Sequence, residues 1–513
     1  RSINRGLILP ANNTIPKRLL MAAAANRSRI PIVYDELGKS LTYGRLIIGC
    51  AVLSRRIETL TRRHHVGCLL PNSVTGVVAT LGCNFAHKTA VILNYTFPMP
   101  TLLRCCERAH LDVVLTSHQF LDKCGLKDLP EHLAALGIHT VFLEDMAKKI
   151  GRLAKLSGAL RVKLRRLKTE RSQPDDAAVI LFTSGSEADP KAVVLTHRNL
   201  LTNCGQILEA FPIGKHEVMF SALPHFHAFG LTAGVLLPLL NGMKTIIGLS
   251  PLRHKENLQL IRTHHATALL STDTFLAQMF KVATPGDLAS LRFVVAGAER
   301  LKPRTRELYE SLNITMLEGY GATEAGPVIA VNVPGATRHG SVGKILPHIE
   351  YRIEPHEGIE EGGVLHVRGP NLMKSYLHDL LEDRSSLNEG WYDTGDIVTV
   401  DDDGYLAIKG RKKRFTKIAG EMISLGYIED EISKLSPDHH HAAIAIESDA
   451  QAKTLIRLYT NDPELSLETI RAHYTEQRIP NTYLPRELIH MAELPVLRTG
   501  KVDYQTLQHQ IKV

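Results

Sequence analysis

The chain predicts an α/β fold built on helix-covered, parallel-type sheets, with a small antiparallel β subdomain and a final mixed α+β piece. Three observations predict it. Short apolar runs rich in β-branched residues alternate with helix-length segments, which is how parallel strands buried on both faces read. From about residue 340 the strands shorten and turn signals multiply. Beyond Gly410-Arg411, strand and helix patterns mix and end in a lysine-bearing loop.

The first group of strands comprises Ile30–Tyr34, Val66–Leu70 and Leu111–Leu115. The second comprises Val218–Leu223, Thr245–Gly248, Ala266–Leu270 and Phe293–Ala296. In the β subdomain, Gly362–Gly369 reads as a short strand and Asp401-Asp402-Asp403-Gly404 as a hairpin turn. No internal repeat or low-complexity tract interrupts this order.

At 513 residues the chain exceeds one core, and a hydrophobic fraction of 44% with 22% charged residues is that of a soluble globular enzyme. No run approaches the roughly 18 apolar residues of a membrane-spanning helix. The start, Arg1-Ser2-Ile3-Asn4-Arg5, lacks the apolar core of a secretory signal, and without Met it marks a processed chain or a piece of a longer one. Seven cysteines, at 50, 68, 83, 105, 106, 124 and 204, form no C-x-x-C pair, so reduced thiols in the cytoplasm are expected.

Net charge is +8, and it is local: Lys148 to Arg171 holds ten Lys and Arg against the single acid Glu170. Met146, Ile150, Leu153, Leu160, Leu164 and Leu167 recur there at helical spacing, although Gly151 and Gly158 each weaken a helix by about 1 kcal/mol. The plain reading is a solvated amphipathic helix. The functional one is a docking face for an anionic membrane or an acidic protein. With no aromatic residue in the segment, nucleic acid is not expected.

Four segments carry the chemistry. Leu181-Phe182-Thr183-Ser184-Gly185-Ser186-Glu187-Ala188-Asp189-Pro190-Lys191 follows an apolar strand with hydroxyls, backbone amides and a lysine, a cradle for polyphosphate. Leu317-Glu318-Gly319-Tyr320-Gly321-Ala322-Thr323-Glu324 superficially matches a dinucleotide fingerprint. Glu324 stands at the third glycine, however, where a carboxylate repels pyrophosphate. The same carboxylate suits Mg²⁺, and Tyr320 offers a face to a nucleobase. Trp391-Tyr392-Asp393-Thr394-Gly395-Asp396 places an acid, read as exposed on a tight turn, for two ribose hydroxyls. Arg498-Thr499-Gly500-Lys501 holds a lysine at a loop tip.

In this order the segments resemble the adenylate-forming superfamily of acyl-CoA synthetases, luciferases and peptide-synthetase adenylation domains, from about Leu41 to the C-terminus. Leu181–Glu187, Ser221–His227, Val294–Glu299 and Lys417–Ser424 look most like the acyl-ACP synthetase branch. Some members of that branch are fused to a 2-acylglycerophosphoethanolamine acyltransferase, which would precede Arg1 here.

The resemblance implies a large N-terminal adenylation domain, residues 1–410, made of two parallel-type helix-covered sheets plus a β subdomain at about 340–410. A hinge at 411–413 and a small mobile α+β lid at 414–513 would follow. It implies ATP and Mg²⁺ as cofactors. The β- and γ-phosphate loop falls on Thr183, Ser184, Gly185, Ser186 and Lys191, the magnesium and α-phosphate pair on Glu324 and Thr323. The adenine slot falls on Gly297, Ala298 and Tyr320, and the ribose contacts on Asp396 and Arg411. Lys501 takes the catalytic lysine's place, Lys413 the hinge, Gly420 the thiol approach and His227 the mouth of the acyl pocket.

Ala188 and Ala192 stand where relatives carry glycine, and Arg414 adds charge beside the hinge. A methyl group at a positive-φ position is strained and would stiffen the phosphate loop.

The implied reaction activates a fatty acid as its adenylate and passes it to a thiol, acyl carrier protein first and CoA as the alternative. Ser221 to Thr232 contains no Asp or Glu to receive an amino acid's ammonium, which argues against a peptide-synthetase role. A non-catalytic nucleotide or acyl-chain sensor is the rival from another class. The expected place is the cytoplasm, with Lys148–Arg171 touching the inner face of the membrane.

Overall fold

The computed structural model describes residues 13–26, 29–149, 171–183, 190–211, 213–359, 361–381, 385–418, 421–448, 453–496 and 502–509. It divides into two compact units. The first holds residues 1–337, 343–349 and 368–392, the second 338–342, 350–367 and 393–513.

The first unit carries two large sheets. One runs Ser375–Tyr376, Lys191–Thr196, Ala177–Thr183, Thr89–Ile92, His65–Cys68, Val113–Thr116, His139–Phe142. Its last five strands are parallel, and Lys191–Thr196 closes back antiparallel on Ala177–Thr183. The other has nine strands, with Thr315–Gly321, Phe293–Ala296, Ala268–Ser271, Val218–Ser221, Lys244–Ile247 and Val33–Asp35 parallel at its centre. Fully buried strands such as Thr89–Ile92 and Phe293–Ala296 explain the unbroken apolar runs, since helices cover both faces. The predicted strands recur within two residues of their expected bounds, except that Ile30–Tyr34 starts three residues later, at Val33.

Helix starts follow local capping chemistry. Thr42 accepts from the Arg45 amide to open Tyr43–Leu60, and Ser73 accepts from Gly76 to open Val74–Phe85. Thr196 and Asn199 form a reciprocal capping box at the head of His197–Ala210. All seven cysteines are free thiols, six of them buried.

Helix Ile15–Ala25 is pinned by His197, whose Nδ1 accepts from the Ile15 amide at 3.3 Å. His197 is 2% exposed, and burial lowers its pKa to about 4. The folded state therefore binds this proton less readily than the unfolded chain. Stability is full above the unfolded value near 6.5 and falls as pH drops from there towards 4, by about 3 kcal/mol in all. Urea titrations should show a shallower loss over that window in His197→Gln than in the parent; parallel curves would refute the assignment.

The second unit contains the four-stranded sheet Glu350–Glu354, Gly363–Arg368, Tyr392–Val400, Leu406–Arg411. The Asp401–Gly404 turn is the expected hairpin: the Gly404 amide donates to the Asp401 carbonyl, and Gly404 adopts φ +83°. The hairpin Phe415–Ile418/Glu421–Ser424, helix Leu425–Leu435 and the sheet His441–Ser448, Lys453–Thr460, Glu487–His490 complete it.

Arg414 has a structural role here. It donates to Glu429 at 2.6 Å and to the Ala443 carbonyl at 3.0 Å, and its guanidinium lies 3.9 Å from the Tyr504 ring centroid. Burial raises the Glu429 pKa, against the pull of Arg414. The extra charge read beside the hinge thus serves packing.

Candidate active site

Strand Ala177–Thr183 and strand Lys191–Thr196 form an antiparallel pair in which Thr183 lies opposite Lys191. Ser184, Gly185, Ser186 and Ala188 lie outside the described residues, so only the two anchors of the expected phosphate loop are located. Arg108 donates to the Pro190 carbonyl at 2.9 Å and fixes the loop's exit. Ala192 is not a strained position. It sits inside the strand opposite Phe182, 3% exposed, where extended backbone suits alanine.

Strand Thr315–Gly321 leads into a single 3-10 turn, Thr323–Ala325, that presents Glu324. Gly321 is dictated by space: a Cβ there would lie 2.1 Å from the Pro327 carbonyl oxygen on the returning strand. Glu324 is 8% exposed and accepts from the Tyr376 hydroxyl at 2.8 Å. Tyr392 also bonds to it. Burial first, and the Glu324 charge second, hold both phenols well above their ordinary pKa, so they remain donors. The Lys191 ammonium lies 4.9 Å from the centre of the Tyr376 ring. One tyrosine thus joins the end of the phosphate loop to the expected metal-binding acid. Neither tyrosine was singled out as a site residue: Tyr392 lies in the Trp391–Asp396 motif, while Tyr376 sits in no motif.

Glu324 fits a Mg²⁺ position. Its partners among the described residues are neutral phenols, which leave the carboxylate charge available to a cation. Mg²⁺ asks for only one or two carboxylates beside phosphate oxygens and water.

The residues expected at the adenine slot lie on or just past neighbouring strands. Phe293–Ala296 runs parallel to Thr315–Gly321, and Gly297 follows it, its amide bonded to the Ser271 carbonyl. A Cβ on Gly297 would come within 3.0 Å of the Phe229 ring. Ala298, not Ala192, carries the unusual backbone, at φ +66°. Tyr320 is 8% exposed. His227 is half-buried in the turn before an eight-residue π-helix, Phe229–Leu236, and its ring tilts against Phe226 at 4.7 Å. Long π-helical segments are rare and gather at functional sites.

In the second unit Asp396 faces Arg411 across the strand pair, Oδ1 to Nε 3.1 Å. The expectation of an exposed acid on a tight turn needs correcting. Asp396 is 4% exposed on strand Tyr392–Val400, because Gly395 at φ +67° kinks the strand and Thr394 anchors to the Leu365 carbonyl. Lys413 is exposed on the 3-10 turn Lys412–Arg414. Lys501 and Gly420 lie outside the described residues, as does 150–170 of the basic segment.

This two-sheet α/β scaffold has counterparts among known proteins. The family described as AMP-binding enzyme matches residues 20–377. The 4-coumarate–CoA ligase 3 of Arabidopsis thaliana is 26% identical, covering 94% of this chain and 88% of the relative. The long-chain-fatty-acid–CoA ligase of Yersinia pestis is 26% identical over 94% and 92%. The medium-chain fatty-acid–CoA ligase of Escherichia coli (strain K12) is 28% identical over 66% and 62%.

Among solved structures, an anthranilate CoA ligase in complex with anthranoyl-AMP superposes with a TM-score of 0.82 at 20% identity, covering 98% of each chain. The O-succinylbenzoate coenzyme A synthetase of Bacillus subtilis, in complex with ATP and magnesium, gives 0.81 at 22% identity, over 98% and 100%.

The chain belongs to the AMP-binding enzyme family. It is an ATP-dependent, adenylate-forming ligase, and the O-succinylbenzoate coenzyme A synthetase whose fold it shares was solved with ATP and magnesium. Among the described residues, no helix is long and apolar enough to cross a membrane.

Proposed function

We propose that this protein activates a fatty acid as acyl-adenylate and transfers the acyl group to a thiol. The observation that carries the reading is the Lys191–Tyr376–Glu324 cluster at the exit of the phosphate loop. A fatty carboxylate oxygen attacks the α-phosphorus, the new O–P bond forms, and the bond to the β-phosphate oxygen breaks to release pyrophosphate. Carboxylate and triphosphate repel, so positive charge and fixed donors between them lower the barrier. Thr183, Ser184, Gly185, Ser186 and Lys191 would hold the β- and γ-phosphates, Thr323 the α-phosphate, and Gly297, Ala298 and Tyr320 the adenine. Asp396 and Arg411 would take the ribose. Glu324 would hold Mg²⁺, which would supply positive charge to the phosphate oxygens. Lys501 would meet the α-phosphate, then withdraw as the 414–513 lid turns about Lys413. A thiol entering past Gly420 would then attack the acyl carbonyl and expel AMP.

The substrate class is supported by the wall after strand Val218–Ser221. Residues 222–232 there include Leu223, Phe226, Ala228, Phe229 and Leu231 and no Asp or Glu. CoA is the acceptor we favour, because the relatives reported above are named as CoA ligases. Transfer to acyl carrier protein, with Lys148–Arg171 as its docking face or resting on anionic lipid, is the competing outcome.

Incubating the enzyme with ATP, palmitate and either CoA or holo-carrier protein separates the two thioesters directly. Lys501→Ala should cut pyrophosphate exchange by roughly a hundredfold or more while sparing ATP binding. Exchange supported only by amino acids, or none at all with ATP still bound, would overturn the reading.

A further inference from the structure

Asn72 lies just past strand His65–Cys68 on the seven-stranded sheet, and it is 2% exposed. Its side chain is fully used by a segment some 150 residues away. Nδ2 donates to the carbonyls of Ala222 at 3.1 Å and Leu223 at 2.9 Å, and Oδ1 accepts from the His225 amide at 3.0 Å. That segment links strand Val218–Ser221 of the other sheet to the π-helix, and residues 222–227 belong to no helix or ladder. The carbonyls of Ala222 and Leu223 and the amide of His225 therefore take from Asn72 the partners that secondary structure supplies elsewhere.

Two neighbours make the contact a joint rather than a patch. Asp35, 4% exposed on the nine-stranded sheet, accepts from the Val74 amide at 2.8 Å, so the first turn of helix Val74–Phe85 is tied across as well. Gly230 of the π-helix sits so close to the same segment that a Cβ would lie 2.4 Å from the Pro224 carbonyl oxygen and 2.7 Å from that of Leu223. The chain from Ala222 to Gly230 is held between the Asn72 amide on one side and the π-helix backbone on the other.

We propose that Asn72 is a positioning residue for acyl-substrate binding: its amide clamps Ala222–His225 and thereby sets where His227 and the start of the π-helix stand. The proposal deepens the fatty-acid reading above and rests on it for the identity of the substrate. An asparagine suits the task because one planar group offers two donors and one acceptor in fixed directions. Serine can meet only part of that demand, and aspartate reverses it by turning a charged oxygen towards two carbonyls.

The experiment compares the parent enzyme with Asn72→Ala and Asn72→Asp. Amide hydrogen exchange is read over residues 222–231, and KM for palmitate and for ATP is read from pyrophosphate exchange. Asn72→Ala should speed exchange at His225 and Leu231 and raise the palmitate KM by about tenfold, with the ATP KM changing by less than about twofold. In Asn72→Asp the charged carboxyl is disfavoured beside the two carbonyls, so its pKa is raised and the protonated form restores one donor. The palmitate KM of this variant should fall towards the parent value as pH drops from 8 to 6, a recovery that a merely weakened core would not show. Unchanged exchange over 222–231, or equal rises in both KM values, overturns the clamp. A loosened segment in an enzyme whose parent makes no fatty acyl-adenylate upholds the clamp and refutes the fatty-acid reading instead.

Discussion

Replacing Glu324 with glutamine should lower adenylate formation by about two to three orders of magnitude while leaving the fold intact. Glutamine keeps the shape and an oxygen that accepts from Tyr376, so the hydrogen bond at 2.8 Å survives. What disappears is the charge. The carboxylate is 8% exposed, and its partners among the described residues are neutral phenols. Pyrophosphate exchange followed against Mg²⁺ concentration reads this directly. Both a lower maximal rate and a higher half-saturating Mg²⁺ are expected. Tyr376→Phe should cost far less, about tenfold, because it removes an orienting donor and keeps the ring beside Lys191. A glutamine enzyme with the parent rate would remove Glu324 from the site.

Gly321→Ala should be strongly destabilising. The added carbon would stand 2.1 Å from the Pro327 carbonyl oxygen, 2.8 Å from its carbon and 3.1 Å from the Val328 Cα. All three are backbone, so no rotamer change relieves them, and the paired strands must separate. A loss of about 3 kcal/mol or more follows, read as a shift in the urea midpoint. Gly286→Ala is the control: nothing lies within 4 Å of its Cβ, and the expected change is within about 0.5 kcal/mol of zero. Because Tyr320 precedes Gly321 and Glu324 follows closely, surviving protein should also lose adenylation. Equal midpoints for the two variants would show that the strand pair yields more easily than its geometry implies.

The parallel strands were legible because burial on both faces leaves an apolar run with polar ends, as in Phe293–Ala296. The Asp401–Gly404 hairpin was legible because glycine at φ +83° is what its turn requires. Local signals misjudged Asp396 and Ala192, and for the same reason: each belongs to a paired strand but stands beside turn-forming residues that read as loop. Arg411 covers the first and Phe182 backs the second. The resemblance supplied Glu324 and Lys191, but not the tyrosine between them. Tyr376 meets Glu324 across 52 positions, and a lone tyrosine after a serine carries no periodic or motif signal. Asn72 was equally silent, since its three partners are backbone atoms that no side-chain pattern betrays.

The ladder contact between Thr183 and Lys191 has a practical corollary. With Thr183 and Lys191 paired, a shorter or longer stretch between them should leave strand register undisturbed, since each doubling of its length costs only about 0.6 kcal/mol. Foldability and turnover are thus separable at this spot. Libraries randomised from Ser184 to Pro190 would sample phosphate handling on a scaffold that stays put.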